Sequence, residues 1–169
     1  MQKLRLTVVF GALLALGATA LLTDRGAAEE GFSPVGTWKL VKRVLPDGTA
    51  VTPPAVDGLF TLTKTQRNFN VTWLDPDGKR ASVAIMSDYS FDGKTWSETN
   101  RWYLMYLEGE ESPVTVDASD VSGSSEVTLA DGVYSFQMPL HNEPAVTFSG
   151  DKLVATMEGV FEDHWERVK

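Results

Sequence analysis

The chain of 169 residues contains no cysteine. Disulfides, thiolate nucleophiles and zinc–sulfur sites are therefore excluded, as is a lipid anchor on an N-terminal cysteine. Histidine is scarce, with two residues, His141 and His164. Positive charge is in deficit, 15 Lys and Arg against 23 Asp and Glu, for a net charge of −8. An acidic domain repels phosphate backbones, which argues against nucleic acid as a partner. There is no Gly-x-Ser-x-Gly and no phosphate-cradling glycine loop. The serines of 122–125 and Ser149 sit in loop-like or hairpin-end sequence, and the carboxylate pairs Glu110-Glu111 and Asp75/Asp77 fall in turns, where charge is ordinary. No nucleophile, base and orienting group stand out together, so no catalytic residues are assigned.

The first residues form a leader. Met1-Gln2-Lys3-Leu4-Arg5 is a short positive head, residues 6–22 are uncharged and rich in Leu, Val and Ala, and small residues follow at Ala18-Thr19-Ala20 and Gly26-Ala27-Ala28. This is the layout of a secretory signal peptide. Cleavage fits after Ala20 or after Ala28, and an apolar run that reaches Leu22 favours Ala28. The expected organisation is a signal peptide over 1–28, a linker over 29–35 and one domain over 36–169. Export to a periplasm or secretion follows. The alternative is an uncleaved leader that anchors the domain, since the run is just long enough to span a bilayer; membrane contact is expected through the leader alone. Residues 1–28 hold Lys3, Arg5 and Arg25 against Asp24, a net of +2, so the remainder carries −10. That charge favours solubility.

Beyond the leader the pattern is that of strands. Asp47-Gly48, Asp77-Gly78, Asp92-Gly93, Asp131-Gly132 and Gly150-Asp151 punctuate the chain. A tight hairpin needs positive φ, which Gly accepts freely and Asp tolerates. Between these turns lie runs that alternate, such as Phe69-Asn70-Val71-Thr72-Trp73 and Ala81-Ser82-Val83-Ala84-Ile85. A period of two marks a sheet wet on one side. No window of helical length outside the leader spaces its apolar residues by three and four. Strands are expected at about 36–45, 58–65, 68–74, 80–90, 95–107, 113–118, 124–129, 133–138, 144–149 and 152–168, the last split near Gly159. Residues 51–57, with two prolines, read as an irregular crossover or a single helical turn. Roughly eight to ten strands joined by tight turns predict an all-β fold, a single antiparallel up-and-down β-barrel that hides its edges, with a β-sandwich as the alternative.

Two motifs bracket this domain, Gly36-x-Trp38 at its start and Trp165-Glu166-Arg167 at its end. The pair resembles the lipocalin-like β-barrel families, in which a Gly-x-Trp on the first strand sits at the closed end and an arginine of the last strand lies across the indole. A guanidinium so placed gains about 0.5–2 kcal/mol of cation–π energy. The resemblance covers 36–169 but is motif-like at its two ends alone. It implies that first and last strands are neighbours, that Gly36, Trp38 and Arg167 are architectural, and that the barrel holds a small, largely apolar molecule. The chain lacks the cysteines and C-terminal helix of the secreted animal lipocalins and looks closer to compact bacterial lipocalin-like domains.

A ligand would sit in the middle of such a barrel, walled by Phe69, Val71, Trp73 and Ile85. The aromatic-rich stretch 95–107, read as one uninterrupted strand, puts Trp96, Glu98, Asn100, Trp102, Leu104 and Tyr106 on one face and Arg101, Tyr103 and Met105 on the other. Trp102 and Tyr106 are therefore expected in the wall, with Asn100 as a polar anchor. The alternative is that these side chains fill a closed interior, since a barrel of about eight strands is just wide enough for either. Glu162, His164 and Glu166 share a strand face and suit a hard or borderline cation, but an acidic protein presents such faces to solvent without a ligand. Haem needs an axial histidine, and neither histidine lies in a supporting motif. Asn70-Val71-Thr72 matches a glycosylation acceptor inside a predicted strand. Neither metal nor cofactor is expected. The expected function is noncovalent binding or carriage of a small hydrophobic or amphipathic ligand. The alternatives are an envelope protein-interaction module with a filled barrel and a small barrel enzyme with an acid–base carboxylate. The sequence leaves the oligomeric state open.

Overall fold

The computed structural model of the protein describes residues 33–169. The leader, both cleavage positions and the first part of the linker lie outside the described residues. The strands are β1 (Gly36–Val44), β2 (Ala50–Val51), β3 (Val56–Leu62), β4 (Gln66–Leu74), β5 (Arg80–Phe91), β6 (Thr95–Leu107), β7 (Val114–Asp117), β8 (Ser122–Glu126), β9 (Thr128–Ala130), β10 (Val133–Gln137), β11 (Ala145–Ser149), β12 (Lys152–Met157) and β13 (Phe161–Arg167). No helix occurs among the described residues. Residues 51–57 make a single tight turn, in which the amides of Ala55 and Val56 donate to the Thr52 carbonyl, at 3.0 and 3.4 Å.

All strands belong to one antiparallel sheet, with a path β7-β6-β5-β4-β3-β1-β13-β12-β11-β10-β9. The fold is all-β and up-and-down, a single sheet curled into a half-barrel. Neighbours along the path are neighbours in sequence, apart from β3 and β1, between which the two-residue β2 pairs with β1, and β1 and β13, where Trp38 lies opposite Arg167 and Leu40 opposite Trp165. The stretch expected as one strand over 124–129 is two. β8 pairs with β6 and β9 with β10, and one residue, Val127, separates them. The Val127 amide donates to the Lys94 carbonyl at 2.7 Å. A single bent segment thus bridges the two ends of the sheet. A Cβ on Gly123 would lie 2.9 Å from the Pro139 carbonyl oxygen, so β8 packs hard against the segment that follows β10.

The interior is filled at one end. Trp38, Leu40, Phe148, Leu153 and Trp165 are at most 1% exposed. The Trp38 and Phe148 rings meet edge to face at 5.5 Å. The Arg167 guanidinium lies 4.3 Å from the Trp38 ring centroid, held by donation to the carbonyls of Val35 (2.7 Å) and Ser33 (3.1 Å). Gly36 is required there. Its φ is +153°, and a Cβ would come within 2.5 Å of Arg167 Nη1. A second aromatic row crosses the interior. Tyr89 stacks on Trp96 at 4.6 Å, and Trp96 stacks on Phe136 at 4.9 Å.

Candidate ligand-binding cavity

The other half of the interior is hollow. A cavity of about 290 Å³ is walled by two cross-strand rows, Phe69–Ile85–Tyr103 and Val71–Val83–Met105. Trp73, Ala155 and Met157 complete the apolar wall. Its mouth lies where the lining is most exposed, at Val160 in the turn before β13 and at Asn142 in the loop after β10. A larger groove of about 850 Å³ beside β8 and residues 137–145 is shallow, open and half polar. It lacks the enclosed apolar wall that buries a small molecule.

Four residues placed in the wall by their alternation, Phe69, Val71, Trp73 and Ile85, line this cavity together. Trp102 and Tyr106 do not, and Tyr103 and Met105 stand in their place. The reason is a β-bulge. Met86 pairs with Trp102 while the next residue, Ser87, pairs with Asn100, so Arg101 is an extra residue on β6. An inserted residue reverses which face every later side chain takes. Trp96, Glu98 and Asn100 face inward before the bulge, and Tyr103 and Met105 after it. Trp102 falls in the outer row Asn68–Met86–Trp102, and Tyr106 in the outer row Thr72–Ser82–Tyr106. Asn100 does face inward and is fully buried, but it lines no part of the cavity. Its amide nitrogen donates to the carbonyls of Ser119 (2.8 Å) and Asp117 (3.3 Å), and its Oδ1 lies 3.0 Å from His141 Nε2. Since Oδ1 can only accept, His141 Nε2 carries a proton and donates.

His141 is positioned by a tight turn. The Glu143 amide donates to the Leu140 carbonyl at 3.1 Å, and His141 and Asn142 between them have φ of +52° and +51°. That is the type I′ geometry, which His and Asn tolerate better than most residues. The turn sets the His141 ring against Tyr103, centroids 4.5 Å apart. It does not suit haem. Nε2 is already engaged, and the cavity is too small for a tetrapyrrole. His164 Nε2 lies 2.7 Å from Glu162 Oε1, and among the described residues no three His, Asp or Glu side chains converge on a cation position.

Alternation also hides charges in the interior. At the rim, Arg43 Nε and Nη2 donate to both oxygens of Asp163 at 2.6 and 2.7 Å, and the guanidinium lies 4.1 Å from the Phe161 centroid. Burial raises the Asp163 pKa against the pull of Arg43. Below the cavity, Arg67 Nη1 donates to Glu98 (2.9 Å) and Glu143 (3.0 Å), and Nη2 donates to the second Glu143 oxygen. Burial works against the Arg67 charge, but Glu143 and Glu98 outweigh it and its pKa is raised. The Glu143 pKa is raised too, by burial and, less, by Glu98, with Arg67 opposing. Glu98 also accepts from Trp96 Nε1 (2.7 Å) and Ser87 Oγ (3.1 Å). Burial also raises the Tyr103 pKa, with a smaller contribution from Glu143. Arg67 was missed, because the expected strand starts at residue 68; it shares the parity of Phe69, Val71 and Trp73, and β4 begins at Gln66. Glu143 lies in a loop and gave no signal.

Compared with known proteins, the chain matches no family model, no curated protein and no solved structure.

Proposed function

We propose that the protein is an exported, lipocalin-like carrier that binds one small hydrophobic or amphipathic molecule, without covalent chemistry, in the cavity between β4–β6 and β12–β13. The carrying observation is the contrast between the two halves of the interior. One is packed with tryptophan and phenylalanine, while the other keeps about 290 Å³ open behind apolar walls. That volume is at the lower end of small-molecule sites, so it fits a one- or two-ring compound better than a long acyl chain. Burying about 300 Å² of ligand surface at ~25 cal/mol per Å² contributes roughly 7–8 kcal/mol before the cost of association. Dissociation constants in the micromolar range or weaker follow.

The test is titration with N-phenyl-1-naphthylamine, an uncharged dye whose emission rises on burial. Saturable binding of one dye per chain is expected, lost in Val83→Trp, which fills the cavity, while that variant keeps the wild-type melting temperature. A wild-type protein that leaves the dye dark, or a V83W protein that binds it unchanged, overturns the reading.

A further inference from the structure

The cavity has a floor with its own chemistry. Beneath it lies a void of about 20 Å³ lined by Arg67, Phe60, Leu153 and Trp165 among others. The void shares Phe69, Glu143, Pro144 and Ala155 with the cavity above. Two of its lining side chains carry buried donors that find no acceptor among the described residues, Arg67 Nε and Trp165 Nε1. Arg67 is 2% exposed and Trp165 1%. Trp38 Nε1 is also buried without an acceptor, but Trp38 does not line the void. A buried donor without an acceptor costs about 1–3 kcal/mol, and here the side chains that carry two of them line a space large enough for a single heavy atom.

The charges above the floor are already spent. Both oxygens of Asp163 are taken by Arg43, and both carboxylate oxygens of Glu143 by Arg67. An ammonium ligand would therefore meet no carboxylate that is free of a guanidinium. A carboxylate ligand would meet two guanidiniums that are already neutralised, Arg43 by Asp163 at the rim and Arg67 by Glu98 and Glu143 at the floor, in a protein of net charge −8. Desolvating either ion would go uncompensated.

We infer that the ligand of this cavity is an uncharged molecule with an apolar body and a terminal hydrogen-bond acceptor, of the aryl ketone or aldehyde class, whose oxygen seats in the floor void between Arg67 Nε–H and Trp165 Nε1–H. This rests on the cavity being the binding site. The walls supply affinity and the two donors supply selection. A molecule of the same shape without the acceptor leaves both donors unpaired, and discrimination follows from that difference.

The test uses four naphthalenes of one size as competitors of the bound dye: 2-acetylnaphthalene, its hydrocarbon isostere 2-isopropenylnaphthalene, 2-naphthoate and 2-naphthylmethylammonium. The ketone is expected to bind about tenfold tighter than the hydrocarbon, the worth of one good buried hydrogen bond, and both ions more weakly than the hydrocarbon. With ¹⁵N-labelled tryptophan, the ketone should shift the Trp165 indole N–H resonance, identified by its loss in Trp165→Phe, and the hydrocarbon should not. Ketone and hydrocarbon binding equally, with the Trp165 resonance unmoved, overturns the proposal, because the void then keeps a water. Tighter binding of either ion overturns it as well. Binding of the dye with none of this ordering leaves the carrier reading standing and removes this one; binding of neither dye nor naphthalene removes both.

Discussion

Arg67 is the residue whose loss the interior can least absorb. Replacing it by methionine keeps most of the side-chain length and removes the charge. The variant loses three hydrogen bonds: Nη1 to Glu98 at 2.9 Å, Nη1 to Glu143 at 3.0 Å, and Nη2 to Glu143. The consequences for the two carboxylates differ. Glu98 retains Trp96 Nε1 and Ser87 Oγ as donors. The Glu143 carboxylate retains no donor among the described residues and is 9% exposed. Removing one partner of a buried ion pair costs about 3–5 kcal/mol, mostly as the penalty of the charge left behind. For a domain of this size that corresponds to a fall in melting temperature of roughly 10–20 °C. Chemical denaturation of Arg67→Met at neutral pH measures the loss. Because the penalty sits mainly on Glu143, the double variant R67M/E143Q should recover at least half of it. A single variant within about 1 kcal/mol of wild type, or a double variant no more stable than the single, would refute the assignment of that penalty.

Two further sets of outcomes are expected. Gly36→Ala drives a Cβ into Arg167 Nη1, 2.5 Å away, and should unseat the stack on Trp38 at a cost of about 1–3 kcal/mol. Trp38→Ala, at a fully buried site, should cost about 3–5 kcal/mol; an unchanged denaturation curve for either contradicts the closed-end packing. The second concerns pH. Glu143 and Asp163 have folded pKa values above their ordinary 4.5 and 3.8. A raised pKa gives stabilisation that is complete below the unfolded value and is lost as pH rises through the folded one. Melting temperature should therefore be higher near about pH 5 than near about pH 7.5, helped by reduced self-repulsion, and a fall on acidification across that interval would contradict the direction of both shifts.

Much of this was legible in the sequence, and the rest was hidden for identifiable reasons. Alternation in 69–73 and 81–85 places Phe69, Val71, Trp73 and Ile85 on one wall because β4 and β5 pair without interruption from Leu74↔Arg80 to Gln66↔Asp88. The same rule misplaces Trp102 and Tyr106, since nothing in Asn100-Arg101-Trp102 announces a bulge. A bulge is decided between strands, by where the partner's pairing slips, and one strand's sequence does not carry it. The change of partner at Val127 was hidden likewise, because the segment looks like one strand whichever neighbours it has. The buried charges were half visible. Arg67 and Glu98 occupy inward parity, but Glu143 reaches them from a loop that has no parity to read.

The position of β13 has a consequence for how the protein is made. Arg43 of β1 and Asp163 of β13 are 120 residues apart in the chain, and β13 lies between β1 and β12 in the sheet. Until it emerges from the ribosome, the strands before it can form hairpins with their sequence neighbours, and β8 and β9 can tie β10 to β6, but β1 and β12 each keep an open edge. Pairings so distant in sequence form late and slowly. A nascent chain of this kind cannot complete its sheet until β13 is laid in between β1 and β12.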